Sequence, residues 1–168
     1  MTPRAKPSAE AQPIRLRTLA AGDFDAVYEV DQLCYSPDIA YSRRELRWYM
    51  HLPGADGVVA VYDERIAGFI LWARFENTGH IITIDVLEEY RRMNIGTALL
   101  QEAERRLAHR GAVQIELETA TNNTAAIAFW NRHGYQTRGI LQNYYPDGLN
   151  AYAMMKPLVS GRAKAVPK

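Results

Sequence analysis

Cysteine, long apolar runs and an excess of charge of one sign are all missing from this sequence. Its 168 residues include one cysteine, Cys34, which excludes an intramolecular disulfide and a zinc site built from several cysteines. No apolar run approaches the roughly 20 residues that span a membrane, and residues 1–13 have no apolar core of signal-peptide length. The formal net charge of +1 gives no general attraction to nucleic acid. The sequence therefore predicts a cytoplasmic protein without a metal site, in which any anion site is local.

The length and composition fit a single globular domain with a substantial core. Apolar residues make up 48% of the chain and charged residues 23%, which is ordinary for such a domain. Residues 1–13 and 159–168 combine Pro, Ala and scattered charge without periodicity, and the second segment is basic. We expect both to be mobile tails flanking a domain over residues 14–158.

Hydrophobic periodicity predicts strands and helices in a mixed order. A helix is expected from Asp23, with Phe24, Val27, Tyr28 and Leu33 on its apolar side, and Ser42 with Glu45 predicts the capping box of a second helix. The predicted strands are 14–19, 57–63, 66–75, 80–86, 112–120, 135–145 and 150–158, and two further helices are predicted over 94–109 and 123–133. The pattern indicates a mixed sheet covered by helices, α+β or α/β in class.

The turn between the strand ending at Val86 and the helix beginning at Asn94 carries Arg91 and Arg92. The first N–H groups of a helix have no partner within it, and the helix dipole adds positive potential there, so such a turn favours an anion such as phosphate. The nucleotide-binding patterns G-x-x-x-x-G-K-[ST] and G-x-G-x-x-G followed by an acidic residue are absent. A phosphate site and a solvated basic turn before a core-packing helix both fit.

Two stretches carry a resemblance to the GCN5-related N-acetyltransferases. The turn resembles their Q/R-x-x-G-x-G/A signature, with Arg91 as its first residue, Asn94 where the first glycine is usual, and Gly96 as the second. The stretch LETATNNTAAIAFWNRHGY resembles a pattern of the RimI type, the ribosomal-protein-alanine N-acetyltransferases, and the residues on that pattern are Glu118, Asn123, Ala126, Gly134 and Tyr135. The resemblance covers residues 14–158. Asn is a tolerable departure, because it accepts left-handed backbone geometry better than most residues.

The resemblance implies a fold of about seven mostly antiparallel strands with four helices on both faces of the sheet. It implies acetyl-coenzyme A as cofactor and direct transfer of the acetyl group, in a ternary complex, to an N-terminal α-amine of a protein or peptide. A lysine side chain, a polyamine or another small amine stays open as the acceptor, and so does a non-catalytic acyl-coenzyme A sensor. We expect no membrane or specific nucleic-acid partner, and a monomer or a homodimer.

The same resemblance implies a cofactor site. Backbone N–H groups of the turn are expected to wrap the pyrophosphate, and those of Val86 and Leu87 to hold the acetyl carbonyl and the pantetheine arm. Asn123 resembles an asparagine that bonds this arm, and a helix N-cap is an equally good interpretation. The expected cofactor residues are Val86, Leu87, Arg91, Arg92, Met93, Asn94, Ile95, Gly96, Thr97, Asn123, Ala126 and Trp130.

Acetyl transfer to an amine needs a base for the amine and donors for the oxyanion. Glu118 is the candidate base, and a place on the polar face of its strand is the alternative. The RimI type carries, where this chain has Trp130, a tyrosine that is expected to protonate the leaving thiolate, which tryptophan cannot do near neutral pH. Tyr144 and Tyr145 are the candidate acids, with one of them facing the cleft, or else they form a wall for the acceptor's first residue.

The acceptor side is expected in the loop 35–41, with Tyr35, Ile84, Asp85 and Tyr144 as the residues that contact the acceptor. Packing at the end of a helix is the alternative interpretation of Tyr35. The four histidines show no metal-ligand spacing, and His80 and His133 are expected to be structural or exposed, not catalytic.

Overall fold

The computed structural model describes residues 13–159. The two predicted tails lie outside the described residues, apart from Pro13 and Val159. Within the described range the chain forms the predicted series of elements, with ends that differ by a few residues. These are β1 (Arg15–Thr18), α1 (Phe24–Cys34), α2 (Arg43–Met50), β2 (Ala55–Tyr62), β3 (Arg65–Phe75), β4 (Thr78–Val86), α3 (Ile95–His109), β5 (Gln114–Ala120), α4 (Thr124–Arg132), β6 (Gln136–Leu141) and β7 (Ala151–Pro157).

One seven-stranded sheet organises the domain, in the order β1-β2-β3-β4-β5-β7-β6. All neighbours are antiparallel except β4 and β5. That parallel pairing covers only residues 78–80 of β4 and 114–116 of β5, so the two strands part beyond His80. The parting leaves backbone groups of β4 without a neighbouring strand, which is where a ligand can enter the sheet.

Helices cover both faces of the sheet, as expected. On one face α3 and α4 pack over a core that includes Trp72, Leu99 and Trp130. On the other face α1 and α2 pack over a second core that includes Val27, Leu46, Phe69 and Leu87. The predicted mixed sheet of about seven mostly antiparallel strands with four helices is therefore confirmed.

Two details of the sequence prediction are wrong. Leu33 was expected on the apolar side of α1 and is 69% exposed, whereas Asp31 is fully buried there. Position 31 lies one helical turn after Val27, while position 33 lies far round the helix from it.

The strand predicted over 135–145 ends at Leu141. Asn143 adopts a left-handed φ of 52°, and its N–H donates to Oδ1 of Asn150 at 2.9 Å, which closes a loop. Tyr144 and Tyr145 consequently lie in this loop and not in a strand.

Candidate active site

A cleft of about 1390 Å³ follows the parting of β4 and β5. One end, the cofactor half, lies between the turn after β4 and helix α4. The other end, the acceptor half, lies between the loop 35–41 after α1, called here the acceptor wall, and the loop that carries Tyr144 and Tyr145. The site residues expected from the sequence all line this cleft, except Leu87 and Met93. Met93 is instead 37% exposed.

The cofactor half is built by the backbone of residues 91–97, called here the phosphate turn. Arg92 and Asn94 both have left-handed φ, 69° and 58°, and Asn94 is the residue that precedes α3. The first bond within the helix runs from the N–H of Ala98 to the carbonyl of Asn94 at 3.0 Å. In residues 13–159 no side chain caps this helix start, so the N–H groups of residues 95–97 face the cleft unused. This is the geometry that holds a phosphate.

Close packing of α3 on α4 keeps this half of the cleft narrow. A Cβ at Gly96 would lie 3.3 Å from Cε2 of Phe129, tighter than an ordinary contact. Arg132 places its guanidinium 5.9 Å from the centre of the same ring. Arg91, Arg92 and Arg132 all line the cleft, which gives this half a positive charge. The residues present therefore fit a phosphate-bearing cofactor.

The open edge of β4 corrects one prediction. The N–H of Leu87 donates to the carbonyl of Ala67 in β3 at 2.9 Å, so it cannot hold a thioester carbonyl. Peptide groups alternate in direction along a strand, so the peptide groups of Val86 and Leu87 cannot both face the cleft. Val86 faces it, and its carbonyl accepts bonds from Nε of Arg91 at 3.0 Å and from Sγ of Cys34 at 3.5 Å.

Glu118 and His80 meet where the two strands part. The Nε2 of His80 lies 2.6 Å from Oε2 of Glu118, and the side chains are 31% and 24% exposed. Both line the cleft. The expectation that His80 is only structural or exposed is therefore incomplete, because His80 contacts the candidate base. Sequence spacing gave no signal for this contact, since 38 residues separate the pair.

Tyr144 and Tyr145 both line the cleft, as Glu118 does. The expectation that one of them turns away depended on a strand and is wrong for a loop. Their rings pack edge to face with centroids 5.0 Å apart. Burial and the charge of Glu118 raise the pKa of each hydroxyl to about 12.

Trp130 and Asn123 are held by helix α4. Trp130 is 5% exposed and packs edge-on against Phe129 and Tyr135, which makes it a core residue whose surface also lines the cleft. The Oδ1 of Asn123 accepts the N–H of Ala126 at 3.0 Å, so Asn123 is the N-cap of the helix.

The acceptor wall is bonded to the open edge of β4 by tyrosine hydroxyls. The hydroxyl of Tyr35 donates to the carbonyl of Ile84 at 3.3 Å, and that of Tyr41 donates to the carbonyl of Ile82 at 3.2 Å. Asp85 was expected to contact the acceptor but is 2% exposed. Side chains alternate along a strand, so Asp85 points to the opposite face from Ile84 and lies beneath α1.

A parted sheet with an uncapped helix start in one half and a carboxylate–imidazole pair in the other fits an enzyme that binds a phosphate-bearing ligand beside a titratable side chain. The chain belongs to the acetyltransferase (GNAT) family, whose model matches residues 24–135. It is 31% identical over 160 residues to an N-alpha-acetyltransferase of Sulfurisphaera tokodaii, covering 86% of this chain and 93% of that protein.

Two solved structures share the fold. The ribosomal-protein-S18-alanine N-acetyltransferase of Escherichia coli superposes with a TM-score of 0.81 at 24% identity, over 92% of this chain and all of that chain. Ard1 of Thermoplasma volcanium superposes with a TM-score of 0.79 at 25% identity, over 87% of this chain and 98% of that chain.

The expected family is thus confirmed, and with it an N-acetyltransferase that uses acetyl-coenzyme A. The phosphate turn offers the N–H groups and the arginines that fit the pyrophosphate of this cofactor. In residues 13–159 no helix is both long and apolar enough to cross a membrane.

Proposed function

We propose that this enzyme acetylates the N-terminal α-amine of a protein or peptide by direct transfer in a ternary complex. The contact between Glu118 and His80, at the end of the acceptor half that adjoins the cofactor half, carries the proposal. It places a base between the expected position of the cofactor and an open acceptor half. The N-alpha-acetyltransferase similarity supports the choice of acceptor.

Glu118 accepts the proton that the acceptor ammonium must lose before it attacks. His80 holds the carboxylate in place through the 2.6 Å contact. An α-amine has an ordinary pKa of about 7.7–8.0, against about 10.4 for lysine, so a larger fraction of it is already neutral near pH 7 and it needs less help from a base. The N–H of Val86, on the cleft side of β4, would be the hydrogen-bond donor for the acetyl carbonyl oxygen. Bound acetyl-coenzyme A supplies the activated acetyl group.

Charge separates the two halves of the cleft and supports a cationic acceptor. Arg91, Arg92 and Arg132 line the cofactor half, whereas carboxylates from Asp38, Glu45 and Glu118 line the acceptor half. A positively charged amine is attracted to the second set and a phosphate to the first. We therefore expect a peptide with an acidic first residue to bind less well than one with a neutral first residue.

Tyr144 and Tyr145 bind the acceptor from the side of the cleft opposite the acceptor wall. They do not protonate the leaving thiolate. Burial and the charge of Glu118 raise the pKa of both hydroxyls to about 12, which makes them weaker acids than an ordinary tyrosine. Their hydroxyls remain good hydrogen-bond donors to the acceptor backbone.

Acetyl transfer to a peptide panel tests this function. Each peptide carries one internal lysine and has either a free or a formylated N-terminus, and mass spectrometry locates the added acetyl group. We expect acetylation of free α-amines alone. Acetylated lysine or a preferred small amine would contradict the choice of acceptor, and tight cofactor binding without turnover would indicate a sensor. A cytoplasmic location and a monomeric or dimeric state stay predictions from the sequence.

A further inference from the structure

Two aspartates are buried against each other between α1 and β4, outside the reaction described above. Asp31 is fully buried and Asp85 is 2% exposed. Within residues 13–159, the buried side-chain oxygens that lack a hydrogen-bond partner are Oδ1 of Asp31 and Oδ2 of Asp85. A polar oxygen left unpaired in this way is costly, so the pair needs a physical explanation.

The hydrogen bonds of the pair leave one oxygen of each carboxyl group free, and a single proton can join these two oxygens. Oδ2 of Asp31 accepts the N–H of Tyr41 at 2.8 Å, and Oδ1 of Asp85 accepts the hydroxyl of Thr83 at 2.7 Å. Each carboxyl therefore has one paired oxygen and one unpaired oxygen, and the two side chains interact with each other. Ionised carboxylates only accept hydrogen bonds, so a bond between them requires one proton.

The surroundings of the pair favour that proton. Burial raises the pKa of both groups, and the charge of Asp31 raises the pKa of Asp85 further, whereas the hydrogen bond with Asp85 lowers the pKa of Asp31. The carboxylate of Glu45 on α2 also raises the pKa of Asp31. Arg91, from the turn after β4, directs its Nε to the carbonyl of Val86. The other titratable groups that face the pair are Cys34 on α1 and, in the acceptor wall, Tyr35 and Tyr41.

The pair holds the acceptor wall at both of its ends. Asp31 binds the N–H of Tyr41, while the neighbouring Gln32 donates from Nε2 to the carbonyl of Tyr41 at 2.7 Å. Asp85 contacts Tyr35, whose hydroxyl reaches the adjacent carbonyl of Ile84. The wall and the open edge of β4 therefore meet at these two carboxyl groups.

We propose that Asp31 and Asp85 share a single proton in the folded enzyme, and that this pair is the positioning element that fixes the acceptor wall, residues 35–41, against β4. Loss of the proton leaves two buried negative charges in contact, which repel and loosen the wall. The consequence for acceptor binding rests on the proposed function, whereas the shared proton does not.

The proton links folding to pH with a definite sign. An aspartate in the unfolded chain has an ordinary pKa of about 3.9, so unfolding above that pH releases the proton that the folded pair holds. The stabilisation is complete below the unfolded pKa and is lost as pH rises towards the raised pKa of the pair. Asp85→Asn keeps a donor to Asp31 without a titrating proton. The unfolding equilibrium constant of the wild type should therefore rise about tenfold per pH unit relative to this variant, from the unfolded pKa up to the raised pKa of the folded pair.

Denaturant unfolding between pH 5 and pH 8 measures that ratio for the wild type, Asp85→Asn and Asp31→Asn. Asp25→Asn is the control, because Asp25 lies on the same helix with an exposed side chain. We expect the unfolding equilibrium constant of the wild type, divided by that of either pair variant, to rise about tenfold per pH unit below the raised pKa of the pair. The same ratio for the control should not change with pH. A ratio independent of pH for the pair variants would contradict the proposal of a shared proton.

Carbon NMR of the aspartate carboxyl groups in the wild type gives the same answer without a variant. We expect one protonated carboxyl in the pair at pH 6, and two ionised ones would overturn the proposal even if neither variant folded. Kinetics test whether the pair positions the acceptor wall. The KM of the acceptor peptide should rise as the pH passes the raised pKa of the pair in the wild type, but not in Asp85→Asn. The pH profile of kcat should be the same in both proteins. If the unfolding equilibrium constant shows the expected pH dependence but KM does not change, the pair has no positioning role. If the enzyme acetylates no amine, the proposed function is contradicted, while the pH dependence of unfolding still tests the shared proton.

Discussion

In the cofactor half of the cleft, residues 91–97 are consecutive in the sequence, and their backbone N–H groups form the site. In the acceptor half, the contacts join residues that are far apart along the chain. Tyr35 bonds Ile84 across 49 residues, and His80 contacts Glu118 across 38. The cofactor half depends on local backbone geometry, so changes there should alter cofactor affinity. The acceptor half depends on side chains fixed by the fold, so changes there should alter turnover and acceptor binding.

The largest effect is expected from Glu118→Gln. This change removes the base and keeps the side-chain shape, so kcat should fall by about 10²–10⁴-fold. Affinity for coenzyme A should stay unchanged, because the phosphate turn is untouched. Part of the loss should be recovered at higher pH, where more of the acceptor amine is already deprotonated. Steady-state kinetics and calorimetric titration measure the two quantities.

Glu116→Gln is the matched control, since Glu116 lies on the same strand and is exposed. It should leave kcat within about twofold of the wild type. Full activity of Glu118→Gln at neutral pH would show that Glu118 is only a residue on the polar face of the strand and would contradict its role as the base.

The converse change is Gly96→Val in the cofactor half. The added side chain meets the ring of Phe129, 3.3 Å from the Cβ position, and obstructs the N–H groups of the phosphate turn. The Kd of coenzyme A should rise about tenfold, or about 1.4 kcal/mol, in a folded protein. Gly139→Val is the control, because a Cβ there meets nothing within 4 Å. An unchanged Kd in folded Gly96→Val would contradict a phosphate site in this turn.

A smaller effect is expected from Tyr144→Phe and Tyr145→Phe, which remove a hydroxyl and keep the ring. A lost hydrogen bond to the acceptor corresponds to about 0.5–1.5 kcal/mol, so the acceptor KM should rise about two- to tenfold. The kcat should change by less than about threefold, because in the proposed mechanism neither hydroxyl protonates the thiolate. A tenfold fall in kcat with KM unchanged would instead restore the role of an acid.

The same division between the halves explains what the sequence could predict. Asparagine tolerates left-handed geometry better than most residues, which agrees with the φ of 58° at Asn94, and the basic turn before α3 predicted an anion site at the first N–H groups of the helix. Hydrophobic periodicity likewise predicted a mixed sheet covered by helices, and the family resemblance added that the helices lie on both faces. Local patterns are enough where a site is made from the backbone of one short segment.

Long-range contacts could not be predicted in this way. The register of β4 against β5 places His80 beside Glu118, and nothing local encodes that register. Asp31 and Asp85 are unremarkable as polar residues in a helix and a strand, and only the packing of α1 on β4 buries them together. The turn at Asn143 was overlooked because the apolar and aromatic residues of 135–145 resemble a continuous strand.

Asn123 lies in the cofactor half, at the start of α4, and gives the smallest predicted effect. Its Oδ1 caps the helix, so Asn123→Ala should lower the free energy of unfolding by about 1 kcal/mol and the Tm by about 2–4 °C. Asn123→Ser supplies another good cap and should restore most of that stability. The shorter serine carries no amide N–H to reach a cofactor arm, so the two interpretations of Asn123 separate in this variant. If Asn123 also bonds the cofactor, Asn123→Ser should keep the Tm of the wild type and bind coenzyme A about threefold more weakly, the weaker end of one hydrogen bond. Wild-type affinity in Asn123→Ser would make Asn123 a helix cap alone and leave cofactor binding to the phosphate turn and the edge of β4.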